Sequence, residues 1–293
     1  MLQSPLTLGH LIKIHEPVGT PAPLIFDSPH SGLFMPDDFT FDCTHDDIRA
    51  TSDHYVDELF SFAPTLGAAL IAVQIPRAYL DLNRAEDDLD PLLLEAIPAD
   101  ILNNPPADFR SPYGYGVIRR LCQKGKPIQK GKIPLPNWQL RLFYYRKIWQ
   151  SYQNRMEKLR QNFPIPTPII HINCHSMPAK VAMTSPQQGL WSKSIDICLG
   201  NLDALSASSA ITNHLFALCK SKGYRVSLND PYKGAEIIRR TGKPETQNIH
   251  ALQIELNKAL YMNEKTGEKS NNFNKLKDDL HSIFEEFTKT IPL

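Results

Sequence analysis

Short apolar runs of strand length alternate along this chain with amphipathic stretches, and this alternation restricts its fold more than any other feature. Strands are expected at residues 23–27, 69–75, 168–174, 194–199, 224–228 and 251–256. Helices are expected at residues 53–63, 138–163, 206–222 and 274–288. Such an order of elements predicts an α/β fold, a mostly parallel mixed sheet flanked by helices.

The organisation of the chain points to one domain over residues 1–293. No internal repeat and no sharp break in composition marks a boundary. A chain of 293 residues can bury roughly three quarters of its unfolded surface, so it needs neither a disulfide nor a metal merely to fold.

Charge and cysteine usage exclude several classes of protein. The net charge of +1 gives no general reason to bind nucleic acid or an anionic membrane. The five cysteines form no C-x-x-C pair, which favours a reducing cytosol over a disulfide framework. Residues 1–19 lack a basic region followed by an apolar core, so no secretory signal is expected. The longest apolar run, residues 66–73, is far short of the ~20 residues that cross a bilayer. We therefore expect a cytoplasmic protein without a nucleic-acid or membrane partner.

One segment, residues 109–156, is strongly basic. It contains eleven Lys and Arg residues and no Asp or Glu. Three interpretations stay open: a solvated loop and helix face, a basic rim that attracts a small anionic substrate, or a nucleic-acid surface. The third is the weakest, because the segment has no recognisable binding motif.

Polar residues follow two of the expected strands, where open α/β sheets bind their ligands. His30 lies in the turn Ser-Pro-His-Ser-Gly after the first strand. His171, Asn173 and His175 share one face of a later strand if that strand continues to residue 175. Structural histidines are the alternative at both places, so these residues are candidates only.

Acidic and basic candidates complete the set. Glu255 interrupts an apolar run, which is costly for a carboxylate unless it is paired, binds metal or works in catalysis; a salt bridge is the alternative. Asp53 precedes an expected helix and could simply cap it. Arg77 and Arg84 flank an Asp and an Asn, an arrangement that suits carboxylate binding or a structural network.

Six motifs in order resemble the N-formylglutamate amidohydrolase family. They span residues 28–262 and read SPHSG at 28–32, SDHYVD at 52–57, R…DLNR at 77–84, CHS at 174–176, NDPYKG at 229–234, and HALQIELN with ALYM at 250–262. The resemblance implies a zinc-dependent enzyme with a phosphorylase/hydrolase-like α/β fold. It also implies hydrolysis of N-formyl-L-glutamate to formate and L-glutamate, a step of histidine degradation. More remotely, the chain resembles the aspartoacylase and zinc carboxypeptidase group.

The resemblance also implies roles for individual residues. His30, Asp53 and His175 would bind one zinc ion, a donor set typical of catalytic zinc. Analogy with the remoter group makes Glu255 the proton shuttle and Arg77 the oxyanion stabiliser. Four residues would bind the small anionic N-acyl amino acid: Asn83, Arg84, Arg240 and His250.

The chain departs from these patterns at two places. Leu33 stands where the carboxypeptidase group has the acidic ligand of its first motif. The acidic ligand must therefore come from elsewhere, and Asp53 is favoured over Asp27 and Asp57. The family's usual Gly-Gly after Pro-Tyr-x is Gly234-Ala235 here, which bears on substrate preference.

Other functions stay open. A related zinc enzyme could act on another N-acyl amino acid, since carboxylate-binding arginines suit any such substrate. Catalysis by Cys174 with His175 is disfavoured, because neighbouring residues of a strand face opposite sides. A non-catalytic binding protein would be expected to lack metal ligands.

Overall fold

The computed structural model describes residues 6–122, 125–181 and 194–291. Within these residues the strands form one seven-stranded sheet of order β1-β3-β2-β4-β7-β5-β6. Their bounds are β1 Ile12–His15, β2 Leu24–Ser28, β3 Ala69–Val73, β4 Ile169–Met177, β5 Ile197–Gly200, β6 Val226–Leu228 and β7 Ile249–Asn257.

The sheet is mixed. Strand β4 runs parallel to β2 on one side and to β7 on the other, and β5 is parallel to β6. The pair β5 and β7 is antiparallel. The expected α/β fold with a mixed, helix-flanked sheet is therefore confirmed, and each expected strand is present with ends shifted by a few residues.

Helices follow the amphipathic stretches. The longest, α5, covers Leu135–Asn162, close to the expected 138–163. Its apolar side buries Tyr144, Ile148 and Tyr152. The other α-helices of the described chain are α1 Leu8–Leu11, α2 His45–Arg49, α3 Val56–Leu59, α4 Ala99–Asn103, α6 Ser209–Ser221, α7 Glu236–Thr241, α8 Pro244–Gln247 and α9 Phe273–Lys289.

The helix expected over residues 53–63 is wrong in length. Only Val56–Leu59 is α-helical, and a 3-10 turn follows at Ala63–Leu66. Tyr55 has a φ of 63°, in the left-handed region, so no right-handed helix can run through it. Pro64 then occupies a position that suits the first turn of a new helix. The apolar residues of the segment are nevertheless buried, because the broken segment still packs this side inward: Val56, Leu59, Phe60 and Ala63.

The central strands have one apolar and one polar face. Alternate residues of β2, β4 and β7 belong to the main hydrophobic core, together with α3, α6 and α9: Leu24, Phe26, Ile170, Ile172, Cys174, Leu252, Ile254 and Leu256. The intervening residues include Asp27, Asn173, His175, Gln253 and Glu255, all buried. Since side chains alternate along a strand, this second set shares the opposite face. The sheet thus separates the apolar core on one face from a set of buried polar side chains on the other.

The chain divides into two compact units. The first comprises Met1–Lys13, Pro29–Ser52 and Ala72–Met156, and it includes most of α5. The second comprises Ile14–Ser28, Asp53–Ile71 and Glu157–Leu293, and it contains β2, β4 to β7 and the main core. The single domain over residues 1–293 stays a prediction.

Some cations of the basic segment at residues 109–156 pair with acids. Arg120 bonds Asp90 at 2.7 Å, Arg146 bonds Glu86 at 2.6 Å and Lys126 bonds Asp47 at 3.0 Å. For these residues the pairs favour a solvated loop and helix face. As for a membrane, no described helix is long and apolar enough to cross one.

Candidate active site

The turn after β2 fixes the backbone around His30. Gly32 lies so close to Gln74 that a Cβ atom on it would be 2.1 Å from the Gln74 carbonyl carbon. Only glycine fits there, because backbone cannot move aside as a side chain can. A hydrogen bond of 2.8 Å from Phe34 N to Gln74 O holds the turn from the other end. His30 is therefore set rigidly, and its side chain is fully buried.

Asp81 orients the imidazole of His30. Its Oδ1 lies 2.8 Å from Nε2 of His30. The same carboxylate accepts from Arg77 Nε at 2.7 Å and from the backbone N–H of Asn83 at 3.0 Å. Burial alone would raise the pKa of Asp81, but the charges of Arg77, His30 and Arg84 hold it well below its usual range. The carboxylate is thus ionised and accepts a hydrogen bond from Nε2–H, so the neutral tautomer of His30 carries its lone pair on Nδ1.

His175 is oriented by a second buried relay. Its Nε2 lies 2.8 Å from Oδ1 of Asn173, whose Nδ2 lies 2.9 Å from Asp27 Oδ1. Asp27 also meets His171 Nε2 at 2.8 Å. A carboxylate only accepts, so Asn173 presents its amide nitrogen to Asp27 and its oxygen to His175. His175 therefore donates from Nε2 and carries its lone pair on Nδ1.

That lone pair faces a carboxylate. Nδ1 of His175 lies 3.0 Å from Oδ2 of Asp53, and Ser176 Oγ donates to Oδ1 of Asp53 at 3.3 Å. Two acceptor atoms at this separation repel unless a proton or a metal cation lies with them. Asp53 does not cap the helix that follows it. Tyr55 is the N-cap residue of α3, and no side chain forms a capping hydrogen bond there.

His30, Asp53 and His175 form a group that could hold a metal ion. Each offers one ligand atom, and these atoms all lie within 4.8 Å of one another. Two imidazoles and a carboxylate suit zinc with an open position, and carboxylate or amide partners behind both histidines are the usual support of metal ligands. The donor set thus fits zinc, the metal that the family resemblance implies. Of the alternative acids, Asp27 is engaged by His171 and Asn173.

Glu255 lies beside His175 in the sheet. The two residues are partners in the parallel register of β4 and β7, so their side chains project from the same face. Gln253 donates from Nε2 to Oε1 of Glu255 at 2.9 Å. The carboxylate is buried. A carboxylate in this position is placed to exchange protons with a molecule bound next to His175.

Arg84 and Asn83 follow Asp81 directly. Arg84 donates from Nε to the Tyr115 carbonyl at 3.1 Å and from Nη1 to the Asn83 carbonyl at 2.8 Å. Burial lowers the pKa of its guanidinium, although Asp81 opposes that shift. Asn83 is itself buried. These contacts fix the guanidinium while engaging only part of its five donors.

Two other residues, His250 and Arg240, are expected to bind the substrate. His250 is near the start of β7, about 17 Å along the strand from Glu255 at ~3.3 Å per residue. Its nitrogens meet the Ser208 N–H at 3.1 Å and Asn248 Oδ1 at 2.8 Å. Arg240 is on α7, with its Nε 3.9 Å from Glu236 Oε1. Their substrate-binding roles stay predictions without support from this geometry.

Cys174 lies on the apolar face of β4, opposite His175, as the alternation predicted. Burial and the charge of Asp27 raise the pKa of its thiol well above the usual value. A thiol of this kind is a poor nucleophile. The geometry does not support cysteine catalysis.

The sequence does not reveal the partners that orient the histidines. Asp81 lies in an arginine-rich motif, and its bond to His30 joins residues 51 positions apart. One feature of the sequence points to Asp27: its carboxylate ends the apolar run PLIFD. Such a residue needs a buried partner, but the sequence does not say which one.

Known proteins resemble this chain over most of its length. The family model of N-formylglutamate amidohydrolase matches residues 22–262. The N-formylglutamate deformylase of Pseudomonas putida is 27% identical over 83% of this chain and 82% of its own. The N-formylglutamate deformylase of Pseudomonas aeruginosa is 26% identical over 83% of each chain.

Solved structures agree in fold. A crystal structure of N-formylglutamate amidohydrolase from Ralstonia eutropha JMP134 matches with a TM-score of 0.85 and 32% identity, over 96% of this chain and 98% of that one. A gene product of Agrobacterium tumefaciens matches with a TM-score of 0.61 and 14% identity, over 96% and 94% of the two chains, and shares the fold alone.

Fold and site together define an α/β protein with a buried His-Asp-His group, suited to a divalent metal, beside the carboxyl ends of its central strands. With a family model matched over residues 22–262, the chain belongs to the N-formylglutamate amidohydrolase family.

Proposed function

We propose that this protein is a zinc-dependent amide hydrolase that converts N-formyl-L-glutamate to formate and L-glutamate. Family membership and two relatives named N-formylglutamate deformylase support the substrate. The observation that carries the chemistry is the group of His30, Asp53 and His175, whose ligand atoms lie within 4.8 Å of one another.

His30, Asp53 and His175 would hold the metal. A zinc ion bound there lowers the pKa of a bound water and polarises a carbonyl oxygen. Asp81 and Asn173 orient the two histidines so that Nδ1 carries the lone pair, since each accepts a hydrogen bond from Nε2–H. The protein's contribution is a preformed set of lone pairs.

Glu255 would move the proton. A water molecule adds to the formyl carbon and gives one proton to the carboxylate of Glu255. The carbon–nitrogen bond then breaks, and Glu255 returns the proton to the leaving nitrogen of glutamate. The buried carboxylate, paired in register with His175, supports this role.

Arg77 and Arg84 would act on the negative charges of the substrate. Arg77 uses its Nε to bond Asp81, and its terminal nitrogens would stabilise the oxyanion that develops on the formyl oxygen. Arg84, with Asn83, would bind the α-carboxylate, because a guanidinium matches both carboxylate oxygens in one plane. Arg84 is held for this by the carbonyls of Tyr115 and Asn83.

The finer assignments have two sources. The family resemblance supports a phosphorylase/hydrolase-like fold akin to the zinc carboxypeptidases and a place in histidine degradation. Composition and cysteine usage support a single domain over residues 1–293 and a cytoplasmic location. The mixed sheet with its site near the carboxyl ends of the central parallel strands supports the first of these.

A substrate panel tests the proposal. Formate or acetate release is measured from N-formyl-L-glutamate, N-formyl-L-methionine and N-acetyl-L-glutamate with zinc-loaded protein. We expect N-formyl-L-glutamate to be preferred by at least about 100-fold in kcat/KM, because its charged groups need matched buried partners. Preference for another N-acyl amino acid would reassign the substrate, and turnover of none would refute the function.

A further inference from the structure

Arg119 is a buried arginine of the basic segment at residues 109–156. Its Nε has no hydrogen-bond partner within the described chain. The adjacent Arg120 bonds Asp90 at 2.7 Å instead. Arg119 forms no ion pair with a carboxylate of the described residues. Burying an unpaired charge is strongly unfavourable.

The guanidinium of Arg119 is held by an aromatic ring. It lies over Tyr115, with Cζ 4.7 Å from the ring centroid. The backbone oxygen of Tyr115 accepts from Arg84 Nε at 3.1 Å. Tyr115 therefore positions two guanidiniums at once, one by its ring and one by its carbonyl. A ring contact occupies none of the in-plane donors of Arg119, so they are available for a planar anion.

Positive charge exceeds negative charge in this cluster of arginines. The charges of Arg77, Asp81 and Arg84 all act on Arg119, and only that of Asp81 is negative. Burial first, and then the two neighbouring arginines, lower the pKa of Arg119 to about 9. Asp81 is already engaged by Arg77 and His30. The cluster thus lacks negative charge that a bound dianion would supply.

Resting on the proposed function, we propose that Arg119 binds the side-chain carboxylate of the substrate while Arg84 binds the α-carboxylate. Two guanidiniums, the buried one of Arg119 and the half-buried one of Arg84, are both positioned by Tyr115. They match the two carboxylates of an N-formyl dicarboxylic amino acid. Arg119 is thus the residue that selects acidic over neutral side chains.

Three substrates separate the two carboxylates. These are N-formyl-L-glutamate, its side-chain amide N-formyl-L-glutamine, and its α-amide N-formyl-L-isoglutamine, with kcat/KM measured from formate release. Arg119→Gln is expected to lose about 100-fold on the first and third, and less than about threefold on the second, whose carboxylate is already absent. Arg119→Lys is expected to lose about tenfold on the first, since it keeps the charge but not the planar pair of donors.

Arg120→Gln is the matched control, because Arg120 is the neighbouring residue and pairs with Asp90. It is expected to stay within about threefold of wild type on all three substrates. Thermal unfolding of each variant establishes that it is folded, and Arg119→Lys carries the test if Arg119→Gln is not. The cleanest readout is the ratio of kcat/KM for the acid and the side-chain amide, which a folding defect does not change.

Each contrary result has its own meaning. Equal losses for the Arg119 variants on the acid and its side-chain amide would overturn the assignment and leave Arg119 a structural residue. A loss that disappears on the α-amide would overturn it in favour of an α-carboxylate contact. Wild-type protein that releases no formate from any of the three would refute the proposed function itself, and this proposal with it.

Discussion

Oδ2 of Asp53 lies 3.0 Å from Nδ1 of His175, and both atoms are acceptors in the tautomer that Asn173 sets. Such a contact is repulsive without a cation between or beside the two atoms. His30, oriented in the same way by Asp81, brings a third lone pair to within 4.8 Å. The ligand atoms of His30, Asp53 and His175 therefore converge on a position that suits a cation.

Removal of any one ligand should abolish metal binding. We expect wild-type protein to hold about one divalent metal per chain, and His30→Ala, Asp53→Ala and His175→Ala to hold little, because two ligands do not make a stable site. Plasma mass spectrometry after dialysis measures the content. His214→Ala, which alters a histidine bonded to Thr290 on the surface, is the control and should keep its metal. Full occupancy in the three ligand variants would contradict the assignment.

The partners behind the ligands should tune affinity. Asp81→Asn removes the charge that holds His30, and we expect metal affinity to fall by roughly 10- to 100-fold. Competition with a chromogenic chelator measures the affinity. Asp90→Asn is the matched control, since Asp90 is an equally buried acid bonded to an arginine but not to a histidine. Equal affinities in Asp81→Asn and wild type would show that this bond does not support the site.

Much of this site could be predicted from the sequence because its residues follow local rules. Alternation along β4 places His171, Asn173 and His175 on one face, and Glu255 interrupts an apolar run. The pairings between distant segments could not be predicted, because strand order decides them. For example, Asn173 can donate a hydrogen bond to Asp27 only because β2 lies beside β4 in the sheet.

Backbone strain and missing partners are also invisible in a sequence. The periodicity of residues 53–63 indicates a helix, yet the left-handed conformation of Tyr55 breaks it. The sequence of the basic segment does not distinguish its arginines. In the described structure, however, Arg120 forms an ion pair with Asp90, whereas Nε of Arg119 has no hydrogen-bond partner. Each of these features depends on the folded neighbours of one residue rather than on its type.

Glu255→Gln should separate proton transfer from metal binding. The amide has nearly the same shape and cannot accept the proton, so we expect turnover to fall by about 100-fold or more while metal content stays at the wild-type level. Steady-state formate release and plasma mass spectrometry give the two readouts. Turnover within about tenfold of wild type would make Glu255 a structural carboxylate that pairs with Gln253.

Arg84→Lys should weaken substrate binding at constant charge. An ammonium cannot meet both oxygens of a carboxylate in one plane, so we expect about a tenfold loss in kcat/KM on N-formyl-L-glutamate. On the α-amide substrate the variant should lose little beyond what wild type already loses, because the contact is gone in both. Equal losses on both substrates would instead place Arg84 in a structural network with Asp81.

Removal and return of zinc tests the central claim most directly. The purified protein is chelated until it holds almost no metal, and formate release from N-formyl-L-glutamate is measured before and after one equivalent of zinc is added. The account predicts a loss of at least about 100-fold on chelation and full recovery with zinc, since the metal supplies both an acidified water and a polarised carbonyl. Undiminished formate release from metal-free protein would contradict it.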